Sequence, residues 1–180
     1  MSVFLHRVGL LKPATAGGTP TDTGFVIAGA GANVDTAGEA WANPGNITAD
    51  DGTNAAVVIF SATTSDRLRA SNFGLSVPAG ATIDGIEIQA QLNNSFGNAV
   101  WDYVNVGKDN STLGTAKDPN VALTATVTNY TQGGPSDLWG LSWTVAEVNA
   151  STFQVLISET APDSHNCLCD AIWVKVYYTA

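Results

Sequence analysis

The stretch Ile86-Glu-Ile88-Gln-Ala90-Gln-Leu92 alternates strictly between apolar and polar side chains. Successive side chains of a strand point to opposite faces, so this pattern buries one face and wets the other. Val121-Ala-Leu123-Thr-Ala125-Thr-Val127-Thr128, Phe153-Gln-Val155-Leu-Ile157-Ser158 and Ile172-Trp-Val174-Lys-Val176-Tyr-Tyr178 repeat it. Gly24–Ala28, Ala55–Ser61, Leu68–Val77 and Val100–Val106 are further strand candidates. Clusters such as Asn43-Pro-Gly-Asn46, Asp50-Asp-Gly-Thr-Asn54 and Asn93-Asn-Ser-Phe-Gly-Asn98 separate them. Gly supplies positive φ there, Pro fixes φ, and Asn or Asp bond to their own backbone. No segment of useful length carries the helical period. The pattern predicts an all-β chain, an antiparallel β-sandwich of jelly-roll type, and excludes a parallel α/β enzyme. One helical turn is expected, where Thr144 and Glu147 stand three apart as a capping box and the turn ends near Asn149.

A chain of 180 residues suits one core. Residues 1–24 differ from the rest, because Lys12 to Thr23 is rich in Pro, Thr and Gly and buries little by itself. The expected organisation is an extended N-terminal arm over 1–24 and a sandwich over 25–180. Apolar residues make up 44% but charged ones only 13%, so Ser, Thr, Asn and Gln must cover the exterior. That suits secreted or particle-coating β proteins better than a cytosolic enzyme. The net charge of −9 repels phosphate backbones and anionic lipid, which argues against nucleic-acid and membrane partners. His6, Arg7 and Lys12 interrupt any secretory apolar run, so the N-terminus reads as part of the mature protein.

No catalytic residue, cofactor site or metal ligand set is assigned from the sequence. Asp163-Ser-His165-Asn-Cys167 has the residue types of a nucleophile and base, but all within one local turn, whereas a working triad draws on separate elements. His165, Cys167, Cys169 and Asp170 match no zinc spacing, and Cys167 and Cys169 read as half-buried free thiols. In Trp41-Ala-Asn-Pro-Gly-Asn-Ile-Thr-Ala-Asp50-Asp51-Gly52, the two carboxylates could meet calcium with nearby Asn carbonyls. The plainer reading is an acidic turn with Gly52 at positive φ, anchored on the sandwich by Trp41. Trp139 and Trp143 are expected in the core. Trp101, Trp173 and Tyr177 are candidates for a stacking surface, with Trp173, Lys175 and Tyr177 on one strand face.

Four segments in consistent order are Trp41–Ala55, the run SNFGLSVPAGATIDGIEIQ, the run DLWGLSWTVAEVNASTFQVLIS, and IWVKVYYTA at the C-terminus. Together they resemble a β-sandwich module recurrent in virion proteins of tailed bacteriophages, over about Trp41 to Ala180. Residues 1–40 and the loop Gly97–Gly114 lie outside the likeness. The resemblance implies a non-enzymatic structural protein located in the virion, of head-decoration, head-fibre or tail-associated type, and it carries no active-site residues to transfer.

The leading expectation is therefore a capsid decoration protein, a homo-oligomer with a trimer favoured, docked on the major capsid protein or another virion protein. Val3, Phe4, Leu5, Val8, Leu10 and Leu11 are the expected attachment residues. The alternative is a carbohydrate-binding or tail-associated host-adhesion module that uses surface aromatics on a glycan.

Overall fold

The alternation around Ile86 lies inside a strand of 13 residues, Thr82–Asn94, which pairs antiparallel with one of 15 residues, His165–Thr179. The structure is a computed structural model that describes residues 18–60 and 63–180. In chain order its strands are β1 (Pro20–Asp22), β2 (Val26–Ile27), β3 (Ala30–Val34), β4 (Ala55–Ile59), β5 (Thr63–Thr64), β6 (Arg67–Ser71), β7 (Thr82–Asn94), β8 (Val100–Gly107), β9 (Val121–Ala122), β10 (Thr128–Gly134), β11 (Gln154–Ala161) and β12 (His165–Thr179). Strands β1, β12, β7 and β10 lie in that order in one sheet, here sheet A, and β2 and β4 pair with other stretches of β12. Sheet B has the order β3-β6-β11-β8-β9, with β5 on the far end of β11. This is the expected antiparallel sandwich.

The inner faces meet in one core. Ile86, Ile88, Ala90 and Leu92 of β7 and Ile172, Val174 and Val176 of β12 are fully buried, opposite Leu68, Val104, Val155 and Ile157 of sheet B. Each large side chain so enclosed stabilises the fold by roughly 1.5–3 kcal/mol. Trp139 closes one end, its indole N–H donating to Ile86 O at 3.0 Å. Trp143 packs edge-on against Phe153 at 5.5 Å. The helical turn α1 (Val145–Val148) has both halves of the Thr144–Glu147 capping box.

Three β-bulges set which residues face inward. Asp170 has no partner between Cys169↔Leu92 and Ala171↔Gln91, nor has Asp84 between Ile83↔Tyr178 and Gly85↔Tyr177. Asp102 stands likewise between Trp101↔Glu159 and Tyr103↔Ser158. An extra residue in one strand reverses the parity of everything beyond it. Cys167 and Cys169 therefore point inward at odd positions, while beyond Asp170 the even positions Ile172, Val174 and Val176 do so. Trp173, Lys175 and Tyr177 are left on the outer face of sheet A.

The loop after β3 is fixed at both ends. Trp41 is only 3% exposed; its indole N–H donates to Asp66 O at 2.9 Å and its backbone N–H to Asn33 Oδ1 at 2.8 Å. Asp66 accepts from Thr36 N–H (2.8 Å), Gly38 N–H (3.0 Å) and Asn33 Nδ2 (2.7 Å). Burial by itself would raise the Asp66 pKa, but these donors prevail and hold it below the usual aspartate value. A 3-10 turn, Pro44–Ile47, follows and buries Ile47. Thr48 then bridges Ala171, filling the gap along β12 between β2 and β4. Gly52 has φ +80°, as its turn requires.

Several expectations need correction. Val121–Thr128 is not one strand: β9 ends at Ala122 in sheet B and β10 starts at Thr128 in sheet A. Between them Thr124 and Thr128 hydroxyls both donate to Thr126 O and bend the crossing chain. Leu68–Val77 keeps strand pairing only to Ser71, because Asn72 (φ 56°) and Gly74 (φ 64°) turn it, although Phe73, Leu75 and Val77 still alternate into the core. In β11 both faces are buried, since Gln154, Leu156 and Ser158 are covered as well. The segment after β8 crosses that face, with Gln154 Nε2 donating to Asp109 O at 2.7 Å. Finally, Cys167 and Cys169 are fully buried free thiols rather than half-buried ones, and His165 opens β12 in the interior instead of a solvated turn.

Two stability predictions follow from these interior polar groups. Asp66→Ala would strand the Asn33 amide and two backbone N–H groups, at an expected cost of about 2–4 kcal/mol. Urea unfolding reads this directly, and a loss under about 1 kcal/mol would show that water replaces the carboxylate. Glu159 is fully buried beside Cys167 and Cys169, and neither carboxyl oxygen accepts from an N–H or O–H group. Burial, partly offset by the Cys167 thiol and assisted by the Asp102 charge, pushes its carboxyl up to about 8. The folded state thus keeps a proton that the unfolded chain releases near the ordinary value of 4.5. The resulting stability is complete below that value and is lost as pH rises through about 8. Thermal midpoints from pH 5 to 9 should fall for the native chain and stay flatter for Glu159→Gln.

Candidate functional site

The outer face of sheet A gathers half-exposed aromatic rings with polar side chains. Residues directly opposite in neighbouring strands share a face, so the register lays out its rows. One row reads Ile27–Trp173–Gln89–Thr131, crossing β2, β12, β7 and β10. The next holds Lys175 and Glu87 beside Gly133, and the following one Asp22 and Tyr177 beside Gly85. In the other direction lie Ala171, Gln91 and Asn129.

Phe25, 36% exposed just before β2, joins this face because Lys175 Nζ sits 4.1 Å from its ring centroid. Glu87 holds the polar centre. Its Oε2 accepts from Tyr177 OH at 2.6 Å and Lys175 Nζ at 3.2 Å, and Lys175 Nζ also donates to Tyr177 OH at 3.3 Å. Burial works against the Lys175 ammonium, but the bonds to Tyr177 and Glu87 outweigh it and raise its pKa. The Glu87 hydrogen bond, then burial, raises the Tyr177 phenol. Lys175 and Glu87 thus form an ion pair whose charges cancel, with the Tyr177 phenol bonded to both. These bonds hold the Tyr177 ring in place, and the Lys175 ammonium sits over the Phe25 ring. Beyond Tyr177 a cleft of about 180 Å³ opens between β1 and Asp84, reaching Pro135.

The sequence-derived candidates divide. Trp173 and Tyr177 lie together on this platform. Trp101 does not: it is fully buried, edge-on to Tyr130 at 6.5 Å, with its indole N–H on Tyr103 O. The Asp102 bulge turns it inward, so Trp101 is a core residue and not part of a stacking surface. Val3, Phe4, Leu5, Val8, Leu10 and Leu11 lie outside the described residues. Phe25, Gln89 and Thr131 were not singled out from the sequence. Gln89 was legible as an outward position of the Ile86 alternation, but only the pairing register puts it beside Trp173.

The local His–Cys cluster offers no nucleophile. Burial, then the nearby Glu159 charge, raises the Cys167 thiol far above the ordinary value, and Cys169 is raised for the same two reasons. The His165 ring is enclosed, with Nδ1 turned back on Asp163 and Nε2 buried without a partner. A second cleft, about 480 Å³, contains Asp102 and Asp118. Burial raises Asp102, but its carboxylate is engaged by the Thr160 and Ser158 hydroxyls as an internal tie between β8 and β11.

No family model matches the chain, and no curated protein does. Among solved structures it is similar to a carbohydrate-binding module, CBM4 (TM-score 0.44, 12% identity, 84% of this chain and 93% of that one). It is also similar to TmCBM61 in complex with β-1,4-galactotriose (TM-score 0.43, 10% identity, 80% and 85%). A third is the enzymatically active domain of tailspike protein 4 of bacteriophage CBA120 (TM-score 0.42, 7% identity, 86% of this chain and 19% of that one). At these identities and scores the likenesses are of fold alone.

Proposed function

We propose that this chain is a non-catalytic module that binds a polysaccharide across the outer face of sheet A. The observation that carries the reading is the set of partly exposed rings, Trp173 and Tyr177 with Phe25, among Gln89, Gln91 and Thr131 on one sheet face. A sugar ring has an apolar face of C–H groups and a rim of hydroxyls. Indole and phenol rings stack on the first, while amide and hydroxyl side chains exchange hydrogen bonds with the second. Because the Lys175–Glu87 charges cancel, the platform favours an uncharged glycan, and the net charge of −9 disfavours an anionic one.

The resemblance to tailed-phage virion modules supplies a setting in which such a face serves adhesion to host surface polysaccharide. Attachment to a head shell through residues 1–24 has no comparable support, since its six apolar residues fall outside the described part of the chain.

Trp173→Ala should weaken binding to a neutral soluble polysaccharide by about 10–100-fold, the loss of one stacked ring worth roughly 1–3 kcal/mol. Tryptophan fluorescence titration and affinity electrophoresis over a panel of neutral and uronate-containing glycans measure it. Undiminished retention of the variant, or preference for the anionic polymers, would refute the platform.

A further inference from the structure

Every described lysine has a carboxylate partner: Lys108 with Glu147 at 2.8 Å, Lys117 with Asp137 at 2.7 Å and Lys175 with Glu87 at 3.2 Å. Arg67 and Arg69 have none among the described residues, in a chain that carries −9. They stand two apart on β6 and share the outer face of sheet B. There the register gives the rows Ala32–Arg69–Leu156–Asn105 and Ala30–Ser71–Gln154–Gly107. The Arg67 guanidinium lies on the Tyr103 ring, 4.2 Å from its centroid. Arg69 instead lines a cavity of about 210 Å³. Its Nη1 donates to Asn110 Oδ1 at 2.8 Å, while its Nε is enclosed without an acceptor among the described residues. A guanidinium takes a carboxylate through two parallel N–H bonds, and the Nε–Nη2 edge of Arg69 remains for that use.

The walls of this cavity are fixed by hydrogen bonds of their own. Asp109, on one side, is no counter-ion to Arg69: its Oδ1 accepts from the Ser111 and Thr112 N–H groups, both at 2.8 Å. Its carbonyl oxygen accepts from Gln154 Nε2 at 2.7 Å, which ties the wall to β11. On the other side the Ser151 carbonyl accepts from Asn72 N–H at 3.2 Å. Ser71, Ser151 and Thr152 add hydroxyls to the lining, and no aliphatic or aromatic side chain takes part. We propose that this cavity binds a single sugar acid, a hexuronate, with its carboxylate on Arg69 and its ring hydroxyls among those three side chains. Charge selects a monoanion. One guanidinium faces the ligand, the Asp109 carboxylate stands in the wall, and the net −9 opposes a phosphate dianion or a polyuronate. Size selects one residue, because the space is smaller than the roughly 300–1,000 Å³ of a drug-sized pocket. The site lies on the opposite sheet from the aromatic platform and does not depend on the glycan reading.

The test is isothermal titration of sodium glucuronate into the full chain at constant ionic strength, with glucose, sodium acetate and sodium phosphate as controls. A Kd on the order of 1 mM is expected for a ligand of this size, about tenfold tighter than any control. Arg69→Gln should abolish the heat. Arg69→Lys keeps the charge but loses the planar fork, and should weaken binding severalfold. Asn110→Asp lies in an exposed bend that folds regardless and sets a carboxylate against the guanidinium. It should weaken glucuronate by about tenfold, and it decides the matter if Arg69→Gln fails to fold. Trp173→Ala should bind glucuronate as the native chain does, which separates this site from the platform. The proposal is overturned if no saturable heat appears below about 20 mM, or if a control binds as tightly as glucuronate. Binding that survives in both Arg69→Gln and Asn110→Asp, or that is lost in Trp173→Ala, overturns it equally.

Discussion

The pairing of β7 with β12 carries the rest of the structure. These two long strands share a ladder from Cys167↔Asn94 to Thr179↔Thr82, and every other strand of sheet A hangs on one of them. Their inner residues form half of the core, and their outer residues form the aromatic platform. A ladder of this length fixes register strongly, because a slip by one residue would exchange the isoleucines of β7 for its glutamines and glutamate.

That ladder is not uniform, and its irregularities are where chemistry gathers. Aspartates occupy both of its bulges and the bulge of β8. Each bulge reverses the parity of its strand, and each aspartate then binds something other than the ladder. Asp84 accepts from the Thr179 hydroxyl at 2.7 Å, Asp102 ties β8 to β11, and Asp170 holds the Gly52 turn. The bulge at Asp170 thereby decides two features at once: which aromatic rings of β12 reach solvent, and where the 41–54 loop attaches. The aromatic platform and the Gly52 turn are neighbours because both originate in that one inserted residue.

The interior tolerates a few polar groups at a cost. Asp66 is satisfied by several donors and braces Trp41, whereas Glu159 is enclosed with only the weakly donating Cys167 thiol to offset its burial. These two acids show how burial acts in opposite directions depending on the donors that accompany it: Asp66 ionises more readily than usual, and Glu159 keeps its proton to about 8.

Period-two patterning in the Ile86 and Ile172 segments determined the sandwich, and the Thr144–Glu147 spacing determined the helical cap, since both depend on neighbours a few residues apart. The turn at Gly52 was legible for the same reason; Trp41 was expected to anchor its loop, but its partner Asp66, 25 residues further along the chain, was not legible. The tertiary structure decided that Trp101 is core and Trp173 is surface, because parity at each depends on a bulge that no alternating pattern announces. It also decided that Val121–Thr128 divides between sheets and that Gly52 and Asp170 meet. Those two come from segments far apart in the chain, and only strand register and loop closure bring them within hydrogen-bonding distance.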